Sequence, residues 1–162
     1  MATAARHFAS FDAALKTALE EEISGETYFA AMADAIGGKE GDALRLMAAM
    51  ERETVRLLTP VAARAGIVIA DQATLRAEGR AEGLDTARRG WDELVRDMSE
   101  DFGAYVEEFL WLRDAAPPAD RDRLQFLVDH EVAIIDFAHA WRDGGDDPMA
   151  PLRAYLDRAA CV

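Results

Sequence analysis

Apolar side chains recur at intervals of three and four along most of the chain, and glycine or proline interrupts them at only a few places. From about Phe8 to Ile36, Phe11, Leu15, Ala18, Glu22 and Phe29 fall on one arc of a helix, with Ala14, Glu21, Tyr28 and Met32 on an adjoining arc. Gly37 and Gly38 stop this helix. A second helix opens near Lys39 to Asp42, where acids suit its N-terminal dipole, and runs past Pro60 to Gly66. Its stripe is Leu44, Met47, Val55 and Leu58, with Glu51 on the same face.

The stretch 66–85 is polar and punctuated by glycine, with room for one short helix, and reads as a connection. Its length suffices to cross a bundle, because about a dozen extended residues at roughly 3.3–3.6 Å each span about 40 Å. A third helix is expected from Asp85–Thr86 to about Ala115, with Leu94, Met98, Asp101, Tyr105, Glu108 and Leu112 along one face. Pro117 and Pro118 end it. The fourth helix, from about Ala119 to Gly144, carries Leu124, Leu127, Ile134, Ile135 and Ala138, and Glu131 interrupts that stripe. A short terminal helix is expected over 148–158.

Laid over itself at an offset of 80, the chain aligns helix one with helix three and helix two with helix four. Glu51 falls on Glu131, Phe29 on Phe109, Asp42 on Asp122, and Glu21 on Asp101. The breaks coincide as well, Gly37-Gly38 over Pro117-Pro118. The sequence therefore predicts an all-α single domain: a helical hairpin over about 8–65, a crossover over 66–85, a second hairpin over about 86–143 and the small terminal helix.

Composition narrows the function. The 162 residues, about half of them apolar, make one domain with a proper core. A net charge of −13, with basic residues scattered among acids, argues against nucleic acid or an anionic membrane as partner. The single cysteine, Cys161, rules out an intramolecular disulfide and a cysteine-based zinc site, and fits a reducing cytoplasm. No stretch supplies the roughly 18 uninterrupted apolar residues of a membrane span, and the N-terminus lacks the apolar run of a secretory leader.

Glu51, Asp101 and Glu131 have mostly apolar neighbours three and four positions away, which turns them inward; a solvated face is the plain alternative in so acidic a chain. Glu21 lies between Glu20 and Glu22, and Glu22 is an alternative for the inward position. Carboxylates that converge in a core repel one another unless they are protonated or share a cation. Divalent metals are the usual solution in helical bundles. His130 precedes Glu131 and on an ideal helix points about 100° away from it, which favours a helix seam or subunit contact over ligation.

The spacing of Glu21 and Tyr28 in ALEEEISGETYFAAMAD, the run MERETVRLL and the repeat over about 11–142 resemble the ferritin-like superfamily, in particular small bacterial rubrerythrin-like proteins. That resemblance implies a four-helix bundle built from two hairpins with a long crossover. It also implies one or two divalent ions, Fe or Mn, with oxidoreductase chemistry toward oxygen or peroxide and an electron donor that the sequence does not specify. Carried over by position, the metal residues are Glu21, Glu51, Asp101 and Glu131, with Glu22, Glu108 and His130 as further candidates. Thr54 and Ile134 fill the positions at which the family carries its histidines, and Glu108 stands opposite Tyr28. An all-oxygen site suits Mn, Mg or Ca better than iron held for redox work. The alternative is a metal-free helical interaction module. In either case Trp111 and Phe109, on neighbouring arcs of helix three, point to a homodimer.

Overall fold

Ser10 opens the first helix. Its Oγ accepts a hydrogen bond from the Ala13 N–H at 3.2 Å, so α1 spans Phe11–Ile36 and the chain before it, expected to be helical from about Phe8, is not. The computed structural model describes residues 5–162. Among these, every regular element is helical. Gly37 and Gly38 both have positive φ, which lets the chain reverse within one residue into α2, Gly38–Arg64. Pro60 lies inside α2 without ending it.

The connection after Gly66 holds more structure than its polar composition suggests. Asp71 accepts from the Thr74 N–H at 3.0 Å and caps α3, Gln72–Thr86, a fifteen-residue helix followed by a 3-10 turn at Ala87–Arg89. It packs along α1. The only buried residues of α3 are Gly79 and Gly83, which sit against the backbone of Ser24 and Tyr28. Since the contact advances from Ser24 to Tyr28 as α3 advances from Gly79 to Gly83, the two helices run parallel. The chain thus crosses the length of the molecule before the second hairpin begins.

The expected third helix is two helices: α4, Trp91–Glu100, and α5, Gly103–Ala115. Ser99, Asp101 and Gly103 are three poor helix formers within five residues, and a turn at Asp101–Phe102 replaces the continuous helix. A 3-10 turn at Pro118–Asp120 leads into α6, Arg121–Arg142, and α7, Ala150–Ala159, closes the described chain. Eighty residues beyond the starts of α1 and α2 lie Trp91, where α4 starts, and Pro118, where the turn into α6 starts.

Cross-contacts orient the elements. Gly25 meets Glu51 and Gly41 meets Ala33, so α1 and α2 are antiparallel. Arg64 pairs with Asp120 at one end of α2, and Lys39 stacks on Trp141 at the other, so α2 and α6 are antiparallel as well. The core is divided. One apolar cluster gathers Leu44, Met47, Met98, Phe137 and Leu152, and a second gathers Leu15, Leu19, Leu58, Leu112 and Leu124. No helix among the described residues is long and apolar enough to cross a membrane. Of the aromatic pair on α5, Phe109 is buried and Trp111 is 46 % exposed.

Candidate metal centre

Polar side chains occupy the level between the two apolar clusters. Glu22 of α1 is 3 % exposed, Glu51 of α2 5 %, and His130 and Glu131 of α6 1 % and 7 %, so none of the four belongs to a solvated face. His130 Nε2 lies 3.0 Å from Glu51 Oε1, within hydrogen-bond range. Its other nitrogen, Nδ1, is 3.7 Å from Glu22 Oε1 and 3.9 Å from Glu131 Oε1. Glu22, Glu51 and His130 can each place one ligand atom within 4.8 Å of the other two.

Two glycines and a tyrosine shape the space around these groups. Gly25 faces Glu51: a Cβ there would come within 2.8 Å of the Glu51 carboxyl carbon, so the missing side chain is what lets the carboxylate lie between α1 and α2. Replacing Gly25 by valine is expected to push Glu51 out of place and to lower stability by at least about 1 kcal/mol in urea unfolding while the helical circular dichroism is kept. Behind His130 lies Tyr155 of α7, fully buried, its ring centroid 6.0 Å from the imidazole. The Tyr155 hydroxyl is 2.6 Å from Thr54 Oγ1, which itself donates to the Met50 carbonyl, so Tyr155 donates to Thr54. Burial holds the Tyr155 hydroxyl well above the usual tyrosine range. It stays a neutral donor.

The carboxyls are strained electrostatically. Burial raises Glu51 to about 8, with the charge of Glu131 adding to the shift. Glu131 is likewise pushed up to about 8 by burial, opposed by His130 and reinforced by Glu22. Glu22 goes well above the carboxylate range, from burial first and then from Glu51. Three buried atoms at this level have no hydrogen-bond partner, Glu22 Oε2, His130 Nδ1 and Glu131 Oε2. A divalent cation fits this donor set. It would engage the unpartnered atoms and relieve the repulsion, and the separations of 3.7 and 3.9 Å from His130 Nδ1 to the Glu22 and Glu131 carboxylates are within the range set by ligands about 2.0–2.2 Å from one ion.

A second group lies toward the surface of the same region. The guanidinium of Arg6, in the segment preceding α1, bonds Glu21 Oε1 at 2.5 Å and Glu108 Oε2 at 2.7 Å. The Arg6 backbone N–H also donates to Glu108 at 2.5 Å. Glu21, Tyr28, Tyr105, Glu51, His130 and Glu131 all line one cavity of about 280 Å3. Burial raises the Tyr28 and Tyr105 hydroxyls above their ordinary value.

Of the residues that the repeat singles out, Glu51 and Glu131 are both buried and line the same cavity. Glu21 faces outward to Arg6, and Glu22 takes the inward place. Asp101 ends α4 at the break between α4 and α5 and does not line the cavity. His130, expected at a seam, is in the middle of the cluster. The signal was present in its neighbours: Leu127 and Ile134, three and four residues away, are both buried. The stripe on α6 is an arc about 100° wide, and it accommodates His130 and Glu131 together. Comparison with protein-family models, with curated proteins and with solved structures finds no match for this chain.

Proposed function

We propose that this chain is a ferritin-like, rubrerythrin-like four-helix bundle protein that holds one divalent cation among Glu22, Glu51, Glu131 and His130. The observation that carries the reading is the buried Glu22–Glu51–His130 group with unpartnered atoms on Glu22, His130 and the adjacent Glu131. Crossing of the molecule by α3 and the matching starts of the two hairpins at a spacing of 80 support the fold half of the reading.

His130 changes the donor set expected from sequence. Three carboxylates with one imidazole suit Fe or Mn, whereas the all-oxygen set anticipated from Thr54 and Ile134 leaned toward Mn, Mg or Ca and away from iron. A redox-active iron or manganese would supply one-electron chemistry toward oxygen or peroxide, and on this reading the protein is an oxidoreductase. The protein's own contribution is to orient and to enclose. Gly25 admits the Glu51 carboxylate, Tyr155 closes the side of His130 away from the carboxylates, and the two apolar clusters keep bulk water from either end. Protons compete with a cation for the three carboxyls, all raised by burial, so binding weakens as the pH falls.

The test is direct. Protein purified without chelator and analysed by inductively coupled plasma mass spectrometry is expected to carry Fe or Mn at up to one ion per chain. After chelation, titration with Mn2+ should restore one ion. A chain that takes up no Mn2+ at millimolar concentration leaves the metal-free interaction module as the reading.

A further inference from the structure

We propose that the cavity beside the centre binds a small organic ammonium ion, an arylalkyl amine whose apolar body lies among the aromatic rings of the wall and whose charged head lies against its carboxylates. This goes beyond the metal reading and does not require the ion.

Size is the first argument. At about 280 Å3 the cavity is far larger than one ion held by side chains requires. A water fills about 30 Å3 and a cavity of about 150 Å3 admits benzene, so this one has room for a ring and a short amine chain. Buried Glu51, His130 and Glu131 form its inner wall, and Glu82 of α3, also in the wall, is exposed, so the space is reached from solvent. Three buried polar atoms of the wall, Glu22 Oε2, His130 Nδ1 and Glu131 Oε2, have no partner within the protein, which marks the cavity as one that takes a ligand.

The chemistry of the wall selects the ligand. Five rings line it, Tyr28 and Phe29 from α1, Phe102 from the turn before α5, and Tyr105 and Phe109 from α5. They brace one another: Tyr28 meets Phe29 edge to face at 5.1 Å and Phe102 meets Tyr105 at 5.6 Å, so the lining is already formed. Glu21, Glu22, Glu51, Glu82 and Glu131 line it too, and among the described residues no lysine or arginine does. The cations at hand fall short of that charge. A divalent ion balances two of the three inner carboxylates, and Arg6, shared by Glu21 and Glu108, balances one of that pair. Ring faces and net negative charge together attract an organic cation and repel an anion.

Calorimetric titration of the chelated protein at neutral pH with three probes of one size tests this: phenethylamine, which is positive, phenethyl alcohol, which is neutral, and phenylacetate, which is negative. Phenethylamine is expected to bind once per chain with a Kd of about 0.1–1 mM, the alcohol at least about tenfold more weakly, and phenylacetate not at all up to about 20 mM. Tyr105→Leu should weaken the amine at least about fivefold, and Trp111→Ala, outside the cavity, should leave it unchanged. No saturable heat with the amine, equal binding of amine and alcohol, binding of phenylacetate, or indifference to Tyr105→Leu overturns the proposal. Should Tyr105→Leu not fold, nuclear Overhauser contacts between the amine and the Tyr105 ring in the native chain are the readout, and their absence overturns it. The two readings fail separately: a chain that takes up Mn2+ but not the amine keeps the metal centre and loses this site, and one that binds the amine but no Mn2+ keeps this site alone.

Discussion

Replacing Glu51 and Glu131 together by glutamine is expected to abolish Mn2+ binding and, in the same molecule stripped of metal, to raise stability at pH 8. Both effects follow from what the two carboxyls do at the centre. On the proposed metal reading they supply the charge that balances a cation, and an amide of the same size would not, so affinity should fall by more than about 100-fold, beyond what loss of a supporting contact costs. Without metal they are a liability. Each is raised to about 8 by burial, far above the ordinary carboxyl value near 4.5 that it regains on unfolding.

The folded chain therefore holds protons that the unfolded chain has lost throughout the interval from about 4.5 to about 8. Stability falls as pH rises through that interval, by up to about 1.4 kcal/mol per pH unit for each such group, and levels off above it. Glutamine removes both titrations. Its side-chain oxygen still serves the His130 Nε2 contact now made by Glu51 Oε1. The double variant should match the native chain near pH 4.5 and pull ahead of it as the pH rises, by at least about 2–4 kcal/mol at pH 8. Urea unfolding in the presence of chelator at several pH values checks this, and parallel stability curves for the two proteins would refute it. Added Mn2+ should reverse the order, stabilising only the native chain.

The second large effect is expected at a place without chemistry. Changing Gly79 and Gly83 together to alanine should detach α3 from α1 and lower stability by at least about 3 kcal/mol. A Cβ at Gly79 would stand 2.1 Å from the Ser24 carbonyl oxygen and one at Gly83 2.3 Å from that of Tyr28. Both obstacles are main chain, which cannot turn aside as a side-chain tip would. Separation also breaks the hydrogen bond from Thr27 Oγ1 to the Arg76 carbonyl and the Arg76–Glu26 ion pair. The sign opposes intrinsic helix propensity, which favours alanine by about 1 kcal/mol at each position. Gly103 is the control: nothing lies within 4 Å of its would-be Cβ, and its change to alanine should stabilise modestly. Hydrogen exchange resolved by peptide should show α3 losing protection before α6, and a double variant as stable as the native chain would remove the argument.

The same glycines show where the sequence was hard to read. The hairpin helices announce themselves through apolar stripes, and their ends through Gly37-Gly38 and Pro117-Pro118. α3 has no such stripe, because its contact with α1 is made by the absence of side chains. At the centre, Glu51 and Glu131 stand out because each interrupts an apolar row. Glu21 and Glu22 sit on adjoining arcs that are both largely apolar, so periodicity does not separate them; the separation comes from Arg6, which draws Glu21 outward. Arg6 itself meets Glu108 across 102 residues, a contact with no local trace. The break at Asp101–Phe102 was legible in the run Ser99, Asp101, Gly103 but was outweighed by the apolar spacing on either side.

The polar level between the two apolar clusters also determines how the hairpins are aligned. They are joined only through the crossover, and no short turn sets the height of α6 against α2. Leucines and methionines on the facing surfaces would tolerate a slide of one helical turn, about 5.4 Å, with little change in the area buried. Glu51 would not: such a slide removes His130 from its side and sets Leu127 or Ile134 in its place. A carboxyl that lowers stability in the correct arrangement would be stranded in every shifted one, so the cluster singles out one alignment of the helices at the expense of its rivals.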